Sequence, residues 1–130
     1  MTIEQLTETQ IVLRNKKAAE TIWTSILNDV DTDLVASMLS PDYTYNGEPA
    51  TAEGNVEFVR MLHSAAQNTY FRIEGMIGAH STVAPRWALT ADHDDSSYML
   101  TGQNVLTFTD DGLLESNWQS MGSPAFAHSF

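Results

Sequence analysis

Apolar positions in the first part of the chain recur at helical spacing. Leu6, Leu13, Ile22, Ile26 and Val30, with Trp23 beside them, predict a helix from about Thr2 to Asn28. Thr2 and Gln5 have the capping-box spacing that would start it. Asp31 or Thr32 caps a second, short helix carrying Leu34, Val35, Met38 and Leu39, and Pro41 stops it. Asp42 to Gly47 reads as a short extended piece ending in a turn, and Glu48-Pro49 continue the loop. A third helix fits from Ala52 to Gln67, with Phe58, Leu62 and Ala65 on one face.

After Asn68 the period shortens to two, the signature of strands. Thr69 to Ala79 alternates, with Phe71, Ile73 and Ile77 on one side. Thr82 to His93, Tyr98 to Thr109 and Leu113 to Met121 follow, joined by the polar turns Asp94-Asp-Ser-Ser and Asp110-Asp-Gly. Gly75, Gly78 and Gly102 inside these runs predict bulges or bends. Helices followed by antiparallel strands predict an α+β fold, a single domain over 1–130 with a curved sheet wrapped around the helices. Residues 123–130 read as a loose tail.

Composition narrows the function more than the fold. With 17 Asp and Glu against 6 Lys and Arg, the net charge is -11. Such a field repels a phosphate backbone or an anionic membrane, so neither nucleic acid nor membrane is an expected partner. There is no cysteine, which excludes disulfides, thiolate metal sites and a catalytic thiol. The opening Met-Thr-Ile-Glu-Gln has neither a basic nor an apolar signal region, so a cytoplasmic location is expected. No histidine pair has metal-ligand spacing with a supporting carboxylate, and no phosphate-binding glycine loop is present, so no metal and no cofactor are expected.

Alternation assigns faces to the polar residues within the strands. Val83, Trp87, Leu89, Ala91 and His93 point one way, toward the hollow. His93 is then either a proton carrier at the pocket rim or a surface histidine in a polar hairpin with Asp92, Asp94 and Asp95. Asn104 shares a face with Tyr98, Leu100, Leu106 and Phe108, as a satisfied buried amide or as a group aimed at a ligand. Leu114, Ser116, Trp118 and Ser120 share a face of the last strand, with Trp118 as pocket wall or plain core, and Glu115, Asn117 and Gln119 fall on the opposite face, a dimer contact if that face is the convex one. Tyr45 and Asn46 sit where the chain crosses toward the pocket mouth, and a tyrosine hydroxyl there could hold an oxyanion. His63 falls on the flank of the third helix.

Three strings resemble the SnoaL-like polyketide cyclases, within the cone-shaped superfamily of nuclear transport factor two, ketosteroid isomerase and scytalone dehydratase. They are Ser40-Pro-Asp-Tyr-Thr-Tyr-Asn, Arg86-Trp-Ala-Leu-Thr-Ala-Asp-His, and Phe108-Thr-Asp-Asp-Gly followed by Glu115 and Trp118. The resemblance implies a cofactor-independent cyclase, isomerase or dehydratase acting on a hydrophobic polyketide- or terpenoid-like molecule. His93 would be general acid/base, with Tyr45 or Asn104 steadying an oxyanion. Asn46, Phe58, Leu62, Phe71, Trp87 and Trp118 would contact the substrate. It also implies a homodimer through the outer face of the sheet. Relatives carry an aspartate where this chain has Gly122 or Gln119. That departure keeps open a non-catalytic ligand-binding protein or a protein-interaction module of the same fold.

Overall fold

A computed structural model of the chain describes residues 5–122. Helix α1 spans Glu8–Thr21 and begins later than the Thr2 start expected from the sequence, a position outside the described residues. Its capping box is Thr7 with Gln10: the Gln10 N–H donates to Thr7 Oγ1 at 3.1 Å, and the Thr7 N–H donates to Gln10 Oε1 at 2.8 Å. The helix widens into a π-helical segment over Ile22–Asn28. A 3-10 turn, Thr32–Leu34, leads to the short α2 (Val35–Met38), and α3 spans Ala52–Ala65 behind its N-cap Thr51.

Six strands form one sheet: β1 (Leu39–Tyr45), β2 (Glu48–Pro49), β3 (Gln67–Ala79), β4 (Thr82–His93), β5 (Ser96–Phe108) and β6 (Leu114–Met121). Their order is β2-β1-β6-β5-β4-β3. The pattern of period two anticipates β3 to β6. The segment after Pro41 and the Glu48-Pro49 loop add β1 and β2 at the far edge, with β1 parallel to β6 and every other pairing antiparallel.

Two bulges decide which side chains face the helices. In β3 the register passes from Ile73 opposite Trp87 to Gly75 opposite Arg86, leaving Glu74 as the extra residue. Beyond it the faces exchange, so Met76 joins the core and Ile77 is 75% exposed. The expectation that Ile77 shares the inner face with Phe71 and Ile73 is thus corrected. In β6 the register passes from Leu114 opposite Phe108 to Ser116 opposite Thr107, with Glu115 extra. Leu114 therefore points inward, as do Asn117 and Gln119, while Ser116 and Trp118 point outward, the reverse of the simple alternation.

The inner face of the sheet packs Val83, Trp87, Leu106, Phe108 and Leu114 against Ala19 and Trp23 of the first helix. Ile26, Val35 and Val59 close a second cluster between the helical segments. Asn28 ties the π-helical segment to the edge strand β3. Its Oδ1 accepts from the Phe71 N–H at 2.7 Å, and its Nδ2 donates to the Phe71 carbonyl at 2.8 Å. One amide side chain thus satisfies both backbone groups that an edge strand leaves open.

Candidate functional site

Between the helices and the inner face of the sheet lies a cavity of about 720 Å³. That is room for a ring-bearing small molecule. Trp23, Leu62, Phe71, Leu89 and Leu100 form much of its apolar wall. Phe58 and Met121 also line it and are more than 45% exposed, which marks the opening. No Asp, Glu, His, Lys or Arg is among the described residues that line it. The acidity of the chain is therefore an outer-surface property, and the cavity itself is neutral.

One wall is polar. Tyr43 and Tyr45 enter from β1, Asn104 from β5, and Asn117 and Gln119 from β6. Asn104 is 1% exposed and sits at the centre. Its Oδ1 accepts from Trp87 Nε1 at 2.7 Å. Its Nδ2 donates to Asn117 Oδ1 at 2.8 Å and toward Gln119 Oε1 at 3.3 Å. Both readings of Asn104 left open by the sequence meet here: the amide is satisfied, and it lines the cavity. Trp87 is held in turn by the Phe71 ring, edge-on with centroids 5.4 Å apart.

Burial raises the pKa of Tyr43, and the nearby Tyr45 adds to this, while a hydrogen bond with Asn117 pulls it down. Burial also raises the pKa of Tyr45. Both phenols therefore stay protonated at neutral pH and are available as donors. Trp23 Nε1 is buried with no hydrogen-bond partner among the described residues.

The residues singled out from the sequence divide by position. Tyr45, Phe58, Leu62, Phe71, Trp87 and Asn104 all line the cavity. His93 does not. Its strand has the expected inward parity, but His93 is its last residue, at the β4–β5 turn beside the C-terminal end of α3. There the His93 ring is 58% exposed and its Nε2 lies 3.1 Å from Asp94 Oδ2. It lines a separate, polar pocket with Asp92, Asp94 and Asp95 and with Ser64 and Ala65 at the end of α3. Trp118 also lies outside, because the Glu115 bulge turns it to the outer face, where it stands opposite Val105 and over Gly47. Asn46 works on the backbone: with φ 50 at the β1–β2 turn, its Oδ1 accepts from the Gln119 N–H at 2.7 Å. It thereby anchors β6 next to the polar wall. His63 holds α3 to the Leu27 carbonyl of the π-helical segment.

Tyr43, Asn117 and Gln119 are the functional candidates that the sequence reading passed over. Tyr43 was findable, since it is two residues before Tyr45 and shares its face. Asn117 and Gln119 were hidden by the bulge.

A family model described as a SnoaL-like domain matches residues 21–116. This chain belongs to the SnoaL-like domain family. No curated protein matches it in sequence. Among solved structures it is similar to a candidate polyketide cyclase from Bacillus cereus ATCC 10987, with TM-score 0.77 and 18% identity, covering 93% of this chain and 83% of that one. It is similar to a SnoaL-like polyketide cyclase from Agrobacterium tumefaciens C58, with TM-score 0.72 and 12% identity over 84% and 91% of the two chains. TsrD from Streptomyces laurentii gives TM-score 0.72 and 15% identity over 84% and 88%. At these identities the likeness is one of fold. Among the described residues of this SnoaL-like domain, no group of three His, Cys, Asp or Glu could hold a metal ion. No helix there is long and apolar enough to cross a membrane.

Proposed function

We propose that the cavity receives a neutral, hydrophobic, ring-bearing molecule of polyketide or terpenoid type carrying a carbonyl. The protein would promote its cyclisation, isomerisation or dehydration without a cofactor. The observation that carries this reading is the placement of Tyr43, Tyr45, Asn104, Asn117 and Gln119 on the sheet side of a mostly apolar cavity. The polyketide cyclases among the structural neighbours support the substrate class. Tyr43 and Tyr45 donate to the carbonyl oxygen and stabilise negative charge that develops on it. The apolar wall folds the substrate and excludes water, and orientation supplies much of the rate. This assigns the proton-donating role to the tyrosines of the cavity, Tyr43 and Tyr45, rather than to His93.

A second reading, a ligand-binding protein without turnover, is favoured by one observation: among the described residues that line the cavity there is no Asp, Glu or His to take a proton near neutral pH. A mass-spectrometric screen of the purified protein against polyketide and terpenoid ring-forming intermediates separates the two. Conversion that is lost in Tyr43→Phe and kept in His93→Ala supports the enzyme. Binding without conversion in any protein supports the carrier, and conversion that depends on His93 overturns the tyrosine assignment.

The outer face of the sheet exposes Trp118, Val105, Tyr70 and Met99. An apolar surface of this kind suits pairing of two copies, which the proposal takes as the working oligomer.

A further inference from the structure

One donor orients the whole polar wall. An indole N–H can only donate, and Trp87 Nε1 lies 2.7 Å from Asn104 Oδ1. Asn104 must therefore present its oxygen to the indole and its NH2 to the opposite side. That NH2 lies 2.8 Å from Asn117 Oδ1 and 3.3 Å from Gln119 Oε1. The oxygens of Asn117 and Gln119 are both directed at it, so their own NH2 groups face elsewhere. The Gln119 NH2 has no hydrogen-bond partner among the described residues. The Asn117 amide meets the Tyr43 hydroxyl, and this contact lowers the Tyr43 pKa against the larger opposing effect of burial. Reversing Asn104 would set its NH2 against the indole N–H, with two buried donors face to face.

The indole is in turn locked. Gly102 stands opposite Trp87 in the β4–β5 ladder, and a Cβ there would lie 2.2 Å from Trp87 Cζ2. The ring occupies the place of a side chain at 102.

We propose that Trp87 is a positioning residue that sets ligand specificity. Through Asn104 its N–H orients Asn117 and Gln119, so that the polar wall offers donors and selects ligands carrying a carbonyl or enolate oxygen over ligands of the same shape without one. The proposal rests on the cavity being the ligand site, and it goes beyond that reading by naming the chemical polarity of the wall and its cause.

The probes are 9-fluorenone and fluorene, flat tricyclic molecules that differ in a C=O against a CH2. Their dissociation constants are measured by calorimetry for wild type and Trp87→Phe. Wild type is expected to prefer the ketone by about tenfold, and Trp87→Phe to bring the ratio to within about twofold. Use of the ratio cancels any loss of wall volume that affects both ligands equally. Equal affinities in wild type, or an undiminished ratio in Trp87→Phe, overturn the proposal. A second measurement needs neither ligand nor variant: through-hydrogen-bond couplings in labelled wild-type protein. Coupling from Trp87 Nε1 to Asn104 Cγ and from Asn104 Nδ2 to Asn117 Cγ is expected. Coupling from Asn117 Nδ2 to Asn104 Cγ reverses the chain and overturns the proposal. If neither probe binds while the couplings have the expected sense, the cavity reading fails and the oriented wall stands.

Discussion

Trp87 and Gly102 face each other across the β4–β5 ladder, and the indole of the first fills the side-chain volume missing from the second. From that position Trp87 Nε1 reaches Asn104 Oδ1. A methyl group at 102 would meet the rigid ring at 2.2 Å from Cζ2, with no flexible end to move aside. Gly102→Ala is expected to lower stability by about 1–3 kcal/mol, the usual cost of overpacking. It should also displace the indole from Asn104. Urea unfolding gives the first effect, and the chemical shift of the Trp87 indole proton gives the second.

Two buried tryptophans should respond in opposite ways to loss of their N–H. Trp87 Nε1 has a partner and Trp23 Nε1 has none among the described residues. Trp87→Phe leaves Asn104 Oδ1 buried without its donor, at a cost of about 1–3 kcal/mol beyond the lost ring volume. Trp23→Phe removes an unpaired donor, a gain that offsets its own volume loss. Chemical denaturation should therefore find Trp87→Phe the less stable variant.

The tyrosines set the pH dependence. Burial raises the pKa of Tyr43 and Tyr45, so folding favours their protonated form. Their contribution to stability is complete below the ordinary tyrosine value of about 10 and is lost as pH rises through the folded values. Ketone binding should hold constant from about pH 6 to pH 9, since the described lining residues include no Asp, Glu, His, Lys or Arg, and fall in more alkaline solution. An inflection in the pH profile that vanishes in His93→Ala would return the chemistry to His93.

Outside the cavity, Trp118 and Val105 form an exposed cross-strand pair. Val105→Glu should convert a dimer to a monomer while changing the unfolding free energy of the subunit by only about 0.5 kcal/mol. Sedimentation velocity across a concentration series reads the first, and denaturation at low concentration reads the second.

The fold was legible because its signals are local. Spacing of Ile22 and Ile26 marked the first helix, alternation marked β3 to β6, and Asp110-Asp-Gly marked the last hairpin. The site was legible only where strands run without a bulge. Along β4 and β5 the alternation placed Trp87, Leu89, Leu100 and Asn104 on the inner face, and they line the cavity. Along β6 one extra residue, Glu115, exchanges the faces, and no period-two pattern records where a bulge sits. Trp118 was therefore assigned inward, and Asn117 and Gln119 outward. Glu74 has the same effect in β3, although Gly75 beside it was a visible mark. Gly102 looked like a bend and is instead a close approach, a distinction that depends on what lies opposite it. His93 has the expected parity but lines a different pocket, because alternation gives the face of a strand and not which cavity that stretch of it borders.

The three tryptophans provide the most direct test. Trp23 and Trp87 line the cavity, and Trp118 lies on the outer face. Titration of 15N-labelled protein with 9-fluorenone, followed through the three indole N–H signals, locates the ligand without a variant. Shifts of Trp23 and Trp87 with an unmoved Trp118 are the predicted result. A shift confined to Trp118 would place the ligand outside the cavity and contradict the account.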